Sequence, residues 1–349
     1  MQTHRYDLRF VTPAFLGNAS QQAQWRTPPI KALLRQWWRV AMAQQVNFNA
    51  DRLREREHDL FGVAADGGDS HQSLLRLRLS HWSEGKLKDW PRHGTVQHPE
   101  VRNPVGSDLY LGFGPLTYNT TTRSTGLKAN AAIQAGDSAT LSLAVPDQHA
   151  SAIGTALALM NLYGTLGGRS RNGWGSFSLI PADSNAPALP SELNTVLLQP
   201  WQDALHLDWP HAIGRDARGA LVWQTRPFAD WPQLMQALAR LKIGLRTQQA
   251  FRFPQAHPDG QIHDRHWLSY PVTSHSVKAW GGNARLPNSL RFKVRPAPGN
   301  PQQVVGVICH VPCKPPPAFN PDHASLVRVW QQVHAYLDAP DQQLTRSPA

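Results

Sequence analysis

Residues 5–11 alternate. Tyr6, Leu8 and Phe10 fall on one side and Arg5, Asp7 and Arg9 on the other, the period of a half-buried strand. Thr12-Pro-Ala-Phe-Leu-Gly17 ends it in a loop, and the period then changes. Ile30, Leu33, Leu34, Trp37 and Ala41 recur at helical spacing. Pro28 and Pro29 suit a first turn and Thr27 offers an N-cap, so an amphipathic helix is expected over 28–46. A second helix is expected from Asp51 to Phe61, stopping at Gly62. Strands follow at Leu74–Leu79, Asp108–Phe113 and Thr140–Val145, then a long helix from Ala150 to Leu166.

Strand, helix, strands, helix, strand is an α+β order, that of a ferredoxin-like (RRM-like) domain with an insertion near residues 80–135. Residues 181–200 carry four prolines and suit a linker. Beyond it the pattern is weaker. A strand is expected at Leu221–Thr225, a helix at Trp231–Leu245, a hairpin of Ser289–Arg295 with Val304–Val311, and a last helix from Ala324 to Leu337. Two tandem domains are therefore expected, 1–185 and a divergent 186–349, without a sequence-level repeat. The 349-residue length fits two units at about 100–200 residues each.

Charge narrows the partner class. The chain has 27 arginines against 8 lysines and a net charge of +11, although only 17% of its residues are charged. Guanidinium groups bind phosphate bidentately and stack on bases. The two halves carry +5 and +6, so the excess is not a basic tail but fits a polyanion partner for the whole chain. Thirteen tryptophans supply flat rings for single-stranded nucleic acid, or simply core. No apolar run approaches ~18 residues, so no membrane span is expected. The N-terminus has no apolar signal region, and Cys309 and Cys313 are the only cysteines, which fits a reducing cytoplasm.

Two segments concentrate candidate chemistry. In the first helix Lys31, Arg35 and Arg39 recur every four residues, near Arg26 and the helix N-terminus. Unpaired cations at that spacing repel, so the stripe is either a solvated face or an anion site. In Gly167-Gly168-Arg169-Ser170-Arg171-Asn172-Gly173-Trp174-Gly175, four glycines permit close backbone approach while Arg169, Arg171 and Asn172 offer donors. Main-chain N–H groups there would suit a phosphate backbone. No Gly-Lys-Ser/Thr follows, so it is not a P-loop.

These segments resemble the RAMP (repeat-associated mysterious protein) superfamily of CRISPR effectors, and within it the first RAMP subunits of Cmr, or type III-B, complexes. The family's Thr-Pro-x-Phe-Leu-Gly turn stands here at Thr12–Gly17. Its Arg-Thr-Pro-x-Ile-Lys-Gly-Leu-Leu-Arg-x-Trp-Trp-Arg helix stands at Arg26–Arg39, with Ala32 in place of the usual glycine. Arg54-Glu-Arg-Glu-His-Asp-Leu-Phe-Gly62 matches its Arg-Glu-x-Glu-x-x-Leu-Phe-Gly element, and residues 167–175 match its glycine-rich loop. The likeness is strong over 5–62 and 160–180 and loose past 185, where it is limited to 289–293.

The resemblance implies tandem ferredoxin-like folds in a noncatalytic subunit of a CRISPR RNA-guided complex. It implies guide and target RNA and other RAMP subunits of the Cmr complex as partners, with contact near the guide 3′ end. Arg26, Lys31, Arg35, Arg39, Arg169 and Arg171 are then the expected RNA contacts, within a loop that includes Gly168, Ser170 and Asn172. Arg54 and Arg56 are further candidates, although Glu55, Glu57 and Asp59 are positioned to pair with them. Trp37 lies on the apolar face, whereas Trp38 and Trp174 are candidates to stack on bases or pack on neighbouring subunits.

Three alternatives remain. Some RAMP proteins are metal-independent endoribonucleases that use histidine, and His257, His263 and His266 lie near Asp259 and Asp264. Cys309-His-Val-Pro-Cys313 offers three zinc ligands but lacks a fourth and the usual spacing, so no metal or other cofactor is expected. In Leu290–Arg295, Arg291, Lys293 and Arg295 share one strand face. That face suits either an RNA-facing sheet or an edge strand guarded by charge.

Overall fold

The computed structural model describes residues 1–63, 70–128, 131–190, 195–254 and 260–347. Its first half contains β1 (Gln2–Phe10), α1 (Thr27–Met42), α2 (Ala50–Phe61), β2 (Arg76–Leu79), α3 (Ser107–Gly112), β3 (Ser138–Val145), α4 (Ala150–Tyr163) and β4 (Phe177–Pro181). The sheet order is β2-β3-β1-β4 with every neighbouring pair antiparallel. The alternation in β1 is realised: Tyr6, Leu8 and Phe10 are buried while Arg5 and Arg9 are exposed.

The second half contains β5 (Val222–Thr225), α5 (Trp231–Arg246), α6 (Asp264–Leu268), β6 (Leu290–Ala297), β7 (Asn300–His310), α7 (His323–Asp338) and β8 (Leu344–Arg346). Its sheet runs β6-β7-β5-β8, again antiparallel throughout. Strand for strand this is the order of the first sheet. Both are mixed α+β units in which each long helix crosses over one strand.

Local departures from expectation have physical reasons. Asp108–Phe113 is not a strand. The short apolar run Leu109-Tyr110-Leu111 carries no period of its own, and Ser107–Gly112 forms a helix that buries Leu111. Asp108 holds it by accepting from Trp90 Nε1 at 3.0 Å and pairing with His93. Arg26, not Thr27, is the N-cap of α1, in an extended conformation and without a capping side-chain bond, and Pro28 and Pro29 lie in the first turn. The α-helix ends at Met42, and residues 43–46 tighten into a 3-10 turn.

Packing interlocks the halves. Helix α4 is apolar almost all round, as befits a helix covered on more than one side. Leu157 and Met160 share a core with Leu8 and Leu141 of the first sheet and with Val307 and Cys309 of the second. A second core joins α5, α7 and the other face of the second sheet. Into it the segment 80–135 sends Val96, Leu111 and Leu116, alongside Trp174 of the glycine-rich loop. Among the described residues no helix is long and apolar enough to cross a membrane.

Candidate nucleic-acid interface

The basic stripe of α1 lies against α2. Lys31 Nζ donates to the Phe61 carbonyl at 3.0 Å, at the negative end of the α2 dipole. Arg35 and Arg39 both reach the carboxylate of Glu57, which is buried, with Arg39 Nη2 to Oε1 at 2.8 Å. Burial pushes the Glu57 carboxyl upward, yet the hydrogen bonds from Arg39 and Arg35 hold it below its ordinary value. The anion that the stripe requires is therefore present inside the chain. Glu57 pairs with α1 rather than with Arg54 or Arg56.

One carboxylate shared by two guanidiniums leaves a net positive charge. Arg35 and Arg39 keep about a third of their side-chain surface exposed. With Lys31 they line an open groove of about 650 Å³, whose other boundaries include Pro28, Phe61 and Gly167. The structure thus brings Lys31, Arg35 and Arg39 to the first glycine of the loop. Arg26 stands at the helix start with a buried, unpartnered Nε. Arg54 and Arg56 are exposed on α2 outside that groove, and Arg54 pairs with Asp51 at 3.3 Å.

Trp38 is not a stacking platform. It is 1% exposed and packs edge-on against Phe61 at 5.6 Å. Trp37 is equally buried against Tyr163. Burying an indole removes on the order of 200 Å² from water, up to ~5 kcal/mol. Stacking one base on it returns only about 1–3 kcal/mol, so Trp38 stays inside. Trp174 is buried by the same balance, against Phe15, Trp90 and Trp231.

The glycine-rich loop acts first as a clasp. Gly175 has φ +64°, and an added Cβ would sit 1.8 Å from the Leu166 carbonyl oxygen. At Gly167, with φ +93°, it would meet the Phe15 carbonyl oxygen at 2.6 Å. The N–H groups of Gly168 and Gly175 donate to Phe15 and Pro13, and those of Asn172 and Gly173 to Arg169 and Ser170. These four are unavailable to a phosphate, which corrects the expected cradle and the part assigned to Gly168. Asn172 is also committed: Nδ2 donates to Leu111 and Oδ1 accepts from Lys242, both at 2.6 Å. It holds the loop to α3 and α5 rather than facing RNA.

Arg169, at φ +54°, stays exposed and lies over Gly114. The Ser170 hydroxyl has no hydrogen-bond partner among the described residues. Arg171 turns to the seam with the second half, where its carbonyl accepts the Phe292 N–H at 3.0 Å. That bond, with Val294 N–H to Ser176 Oγ at 2.8 Å, caps the outer edge of β6.

β6 is an edge strand of its sheet, as one expectation had it, but Arg291 and Lys293 neither face RNA nor guard that edge: both face inward, and Lys293 is 1% exposed. Its Nζ donates to the carbonyls of Gly164 and Phe177, each at 2.6 Å, and lies over the Phe177 ring. Burial pushes this amine well below the ordinary lysine value.

The other candidates also have structural roles. His266 is buried, its Nδ1 accepting from His263 N–H and its Nε2 bonding the His275 carbonyl. Asp264 pairs with Arg328. His257 and Asp259 lie outside the described residues. Burial lifts the Cys309 thiol to about 12 and the Cys313 thiol to about 11, so neither offers a thiolate. His310 bonds Ser289 and His334 instead. Among the described residues no three metal-ligating side chains cluster.

Residues 7–178 match the RAMP superfamily model. These residues belong to the RAMP superfamily. No curated protein matches the sequence. Among solved structures, apo Cmr1 from Pyrococcus furiosus aligns at 16% identity over 99% of this chain and 98% of that one, with TM-score 0.48. A chain of a type III-B Cmr-beta complex bound to cognate target RNA aligns at 11% identity over 95% and 99%, with TM-score 0.44. A chain of a type IV-B CRISPR complex aligns at 16% identity over 55% and 95%, with TM-score 0.31.

Sequence reasoning did not single out one further RAMP-half feature. Besides Arg5 and Arg9, Arg76 and Arg78 of β2 are exposed on the first sheet. None of these four forms an ion pair among the described residues. The alternating Arg76-Leu-Arg78-Leu run carried that signal.

Proposed function

We propose that this chain is a noncatalytic, RNA-binding subunit of a type III-B CRISPR RNA-guided effector complex in antiviral defence. Its domains are 1–185, carrying the 80–135 insertion, and 186–349, arranged as two ferredoxin-like units in tandem. It contacts guide or target RNA near the guide 3′ end, beside other RAMP subunits in the cytoplasm. The observation that carries the reading is the groove in which Lys31, Arg35 and Arg39 meet Gly167. RAMP membership and the quoted motifs support it. Guanidiniums about a third exposed and held by a buried carboxylate are pre-positioned for phosphate without being consumed by their partner. The contact is to backbone rather than base, because the candidate stacking rings are inside.

The test is the salt dependence of RNA binding by the full chain. Arg35→Ala and Arg169→Ala are each expected to weaken binding across sequences and to make the salt slope shallower by about one unit. An unchanged slope removes that residue from the interface. Incubation with repeat RNA in the absence of metal is expected to leave it intact, and discrete cleavage would move the reading to a processing endoribonuclease.

A further inference from the structure

The first sheet has a face that none of its own helices covers. Helices α1 and α4 pack on the side of Tyr6 and Leu8, and the opposite side is open. Strand register shapes that open side into a trough. Arg5 of β1 and Arg78 of β2 lie directly across Ser142 of β3, one on each side. Arg76 stands beside Ala144 on the β2 side, and Arg9 beside Ser138 on the β1 side. We propose that this trough docks an acidic α-helix of a partner protein, laid along β3 with its carboxylates against the two arginine rows.

Shape supports a helix. The floor consists of the short side chains Ser138, Thr140, Ser142 and Ala144 of β3. The two rows are two strand spacings apart, about 10 Å at their bases, which matches the roughly 10–12 Å diameter of an α-helix with its side chains. On β4, Ile180 lies opposite Asp7 and is 49% exposed, an apolar contact at the margin.

Charge supports an acidic partner. All four arginines are exposed, and none forms an ion pair among the described residues. Asp7 is the one acid these strands place on the face, and it accepts from Thr140 Oγ1 at 2.8 Å, so three positive charges remain. Guarding an edge explains Arg76 and Arg78, because β2 is an edge strand. It does not explain Arg5 and Arg9, which stand on β1, inside the sheet. An RNA-binding sheet of this kind stacks bases on aromatic rings of its strands. Here β1 and β3 present only Thr, Arg, Asp, Ser and Ala outward, and Trp82, although exposed, lies beyond the end of β2. The face therefore suits carboxylates on a rigid rod better than a base-bearing strand. Helix α1, which carries the RNA groove, packs on the opposite side, so this inference does not rest on that reading.

Fluorescence anisotropy of labelled alanine-based helical peptides with the full chain tests the proposal. Each is about 18 residues long, matching the ~27 Å of β3. One carries glutamates on two flanks, and a second has the same composition with the glutamates distributed all round. The flanked peptide is expected to bind at least about tenfold more tightly, and Arg5→Ser combined with Arg78→Ser should reduce its affinity by about tenfold. That double variant should melt with wild type, since both side chains are solvated. Arg35→Ala should leave peptide binding unchanged while altering the RNA salt slope, so failure of one reading is distinguishable from failure of the other. Equal affinities for the two peptides would reduce the face to general attraction for anions and overturn the docking site. So would no binding at roughly 1 mM peptide. Unchanged peptide affinity in the double variant, with an RNA salt slope shallower by about two units, would assign the face to RNA instead.

Discussion

The two halves share one topology and put their charges on opposite sides of the solvent boundary. In the first, β1 alternates apolar and charged residues, and Arg5 and Arg9 stand on an open face with Arg76 and Arg78 of β2. In the second, β6 alternates just as cleanly, yet Arg291 and Lys293 are buried. The difference lies in what covers the sheet. Helices α5 and α7 take one face of the second sheet, and the first half takes the other, leaving β6 no water-facing side over Leu290–Val294. Alternation reports two faces; it does not report which of them is wet.

Removing Lys293 is the most severe way to break that comparison. Lys293→Ala strands two buried carbonyls and leaves a cavity, for an expected loss of about 3–5 kcal/mol. The melting temperature of the full chain should fall by roughly 5–10 °C. A variant that melts with wild type would show that the seam tolerates the loss and that β6 is not anchored through its amine.

This inversion also explains which parts were legible in the sequence. Strand β1 and helices α1, α2 and α4 follow from period and punctuation, because each segment's own pattern matches its environment; the β6–β7 hairpin follows from its strand runs and turn alone. Lys293 was visible as a residue but not as a buried one, since its partners Gly164 and Phe177 lie over a hundred positions away. Spacing alone offers Glu57 to Arg54 and Arg56; the packing of α2 on α1 gives it to Arg35 and Arg39 instead. Trp38 and Trp174 were open between base and core, a choice that depends on neighbours such as Phe61 and Trp231. The glycine-rich loop is legible as a segment, but the use of its N–H groups depends on the turn 12–16 that it clasps.

Acid should separate the halves next. In the second, His334 bonds His310 at 2.9 Å, and burial, aided by Arg346, lowers His334 to about 3; Arg218 adds to this, and Asp216 opposes it. Burial and the adjacent His334 lower His310 as well. The unfolded chain takes up these protons first, near the ordinary 6.5. Stability from this pair is therefore complete above that pH and drains as pH falls toward the folded value. His334 alone accounts for about 3 kcal/mol by pH 4. In the first half, the depressed Glu57 carboxyl contributes stability above its ordinary 4.5, lost only as pH falls below it. Hydrogen exchange between pH 6.5 and 5 should show β7 and α7 loosening ahead of α1 and α2; simultaneous loosening would mean that the interlocked cores unfold as one.

Glu57→Gln gives a smaller loss within the first half. It leaves Arg35 and Arg39 facing each other, but both are about a third exposed, so water screens much of the repulsion. The expected cost is about 1–2 kcal/mol, discounted from the 3–5 typical of a fully buried pair. A cost near the upper figure in chemical denaturation would indicate that the groove is drier than its open shape implies.

The smallest effect belongs to the open sheet. Arg9 sits on β1 opposite Ser138 and Ser178, forms no ion pair among the described residues, and is exposed. Arg9→Thr keeps strand propensity and removes only a solvated charge. Stability should therefore move by no more than about 0.5 kcal/mol. The same class of residue on β6 is tied to the seam, so the contrast with Lys293→Ala tests burial rather than charge. A loss above about 1 kcal/mol for Arg9→Thr would mean that this face is covered in solution, and the two sheets would then differ in what covers them rather than in whether they are covered.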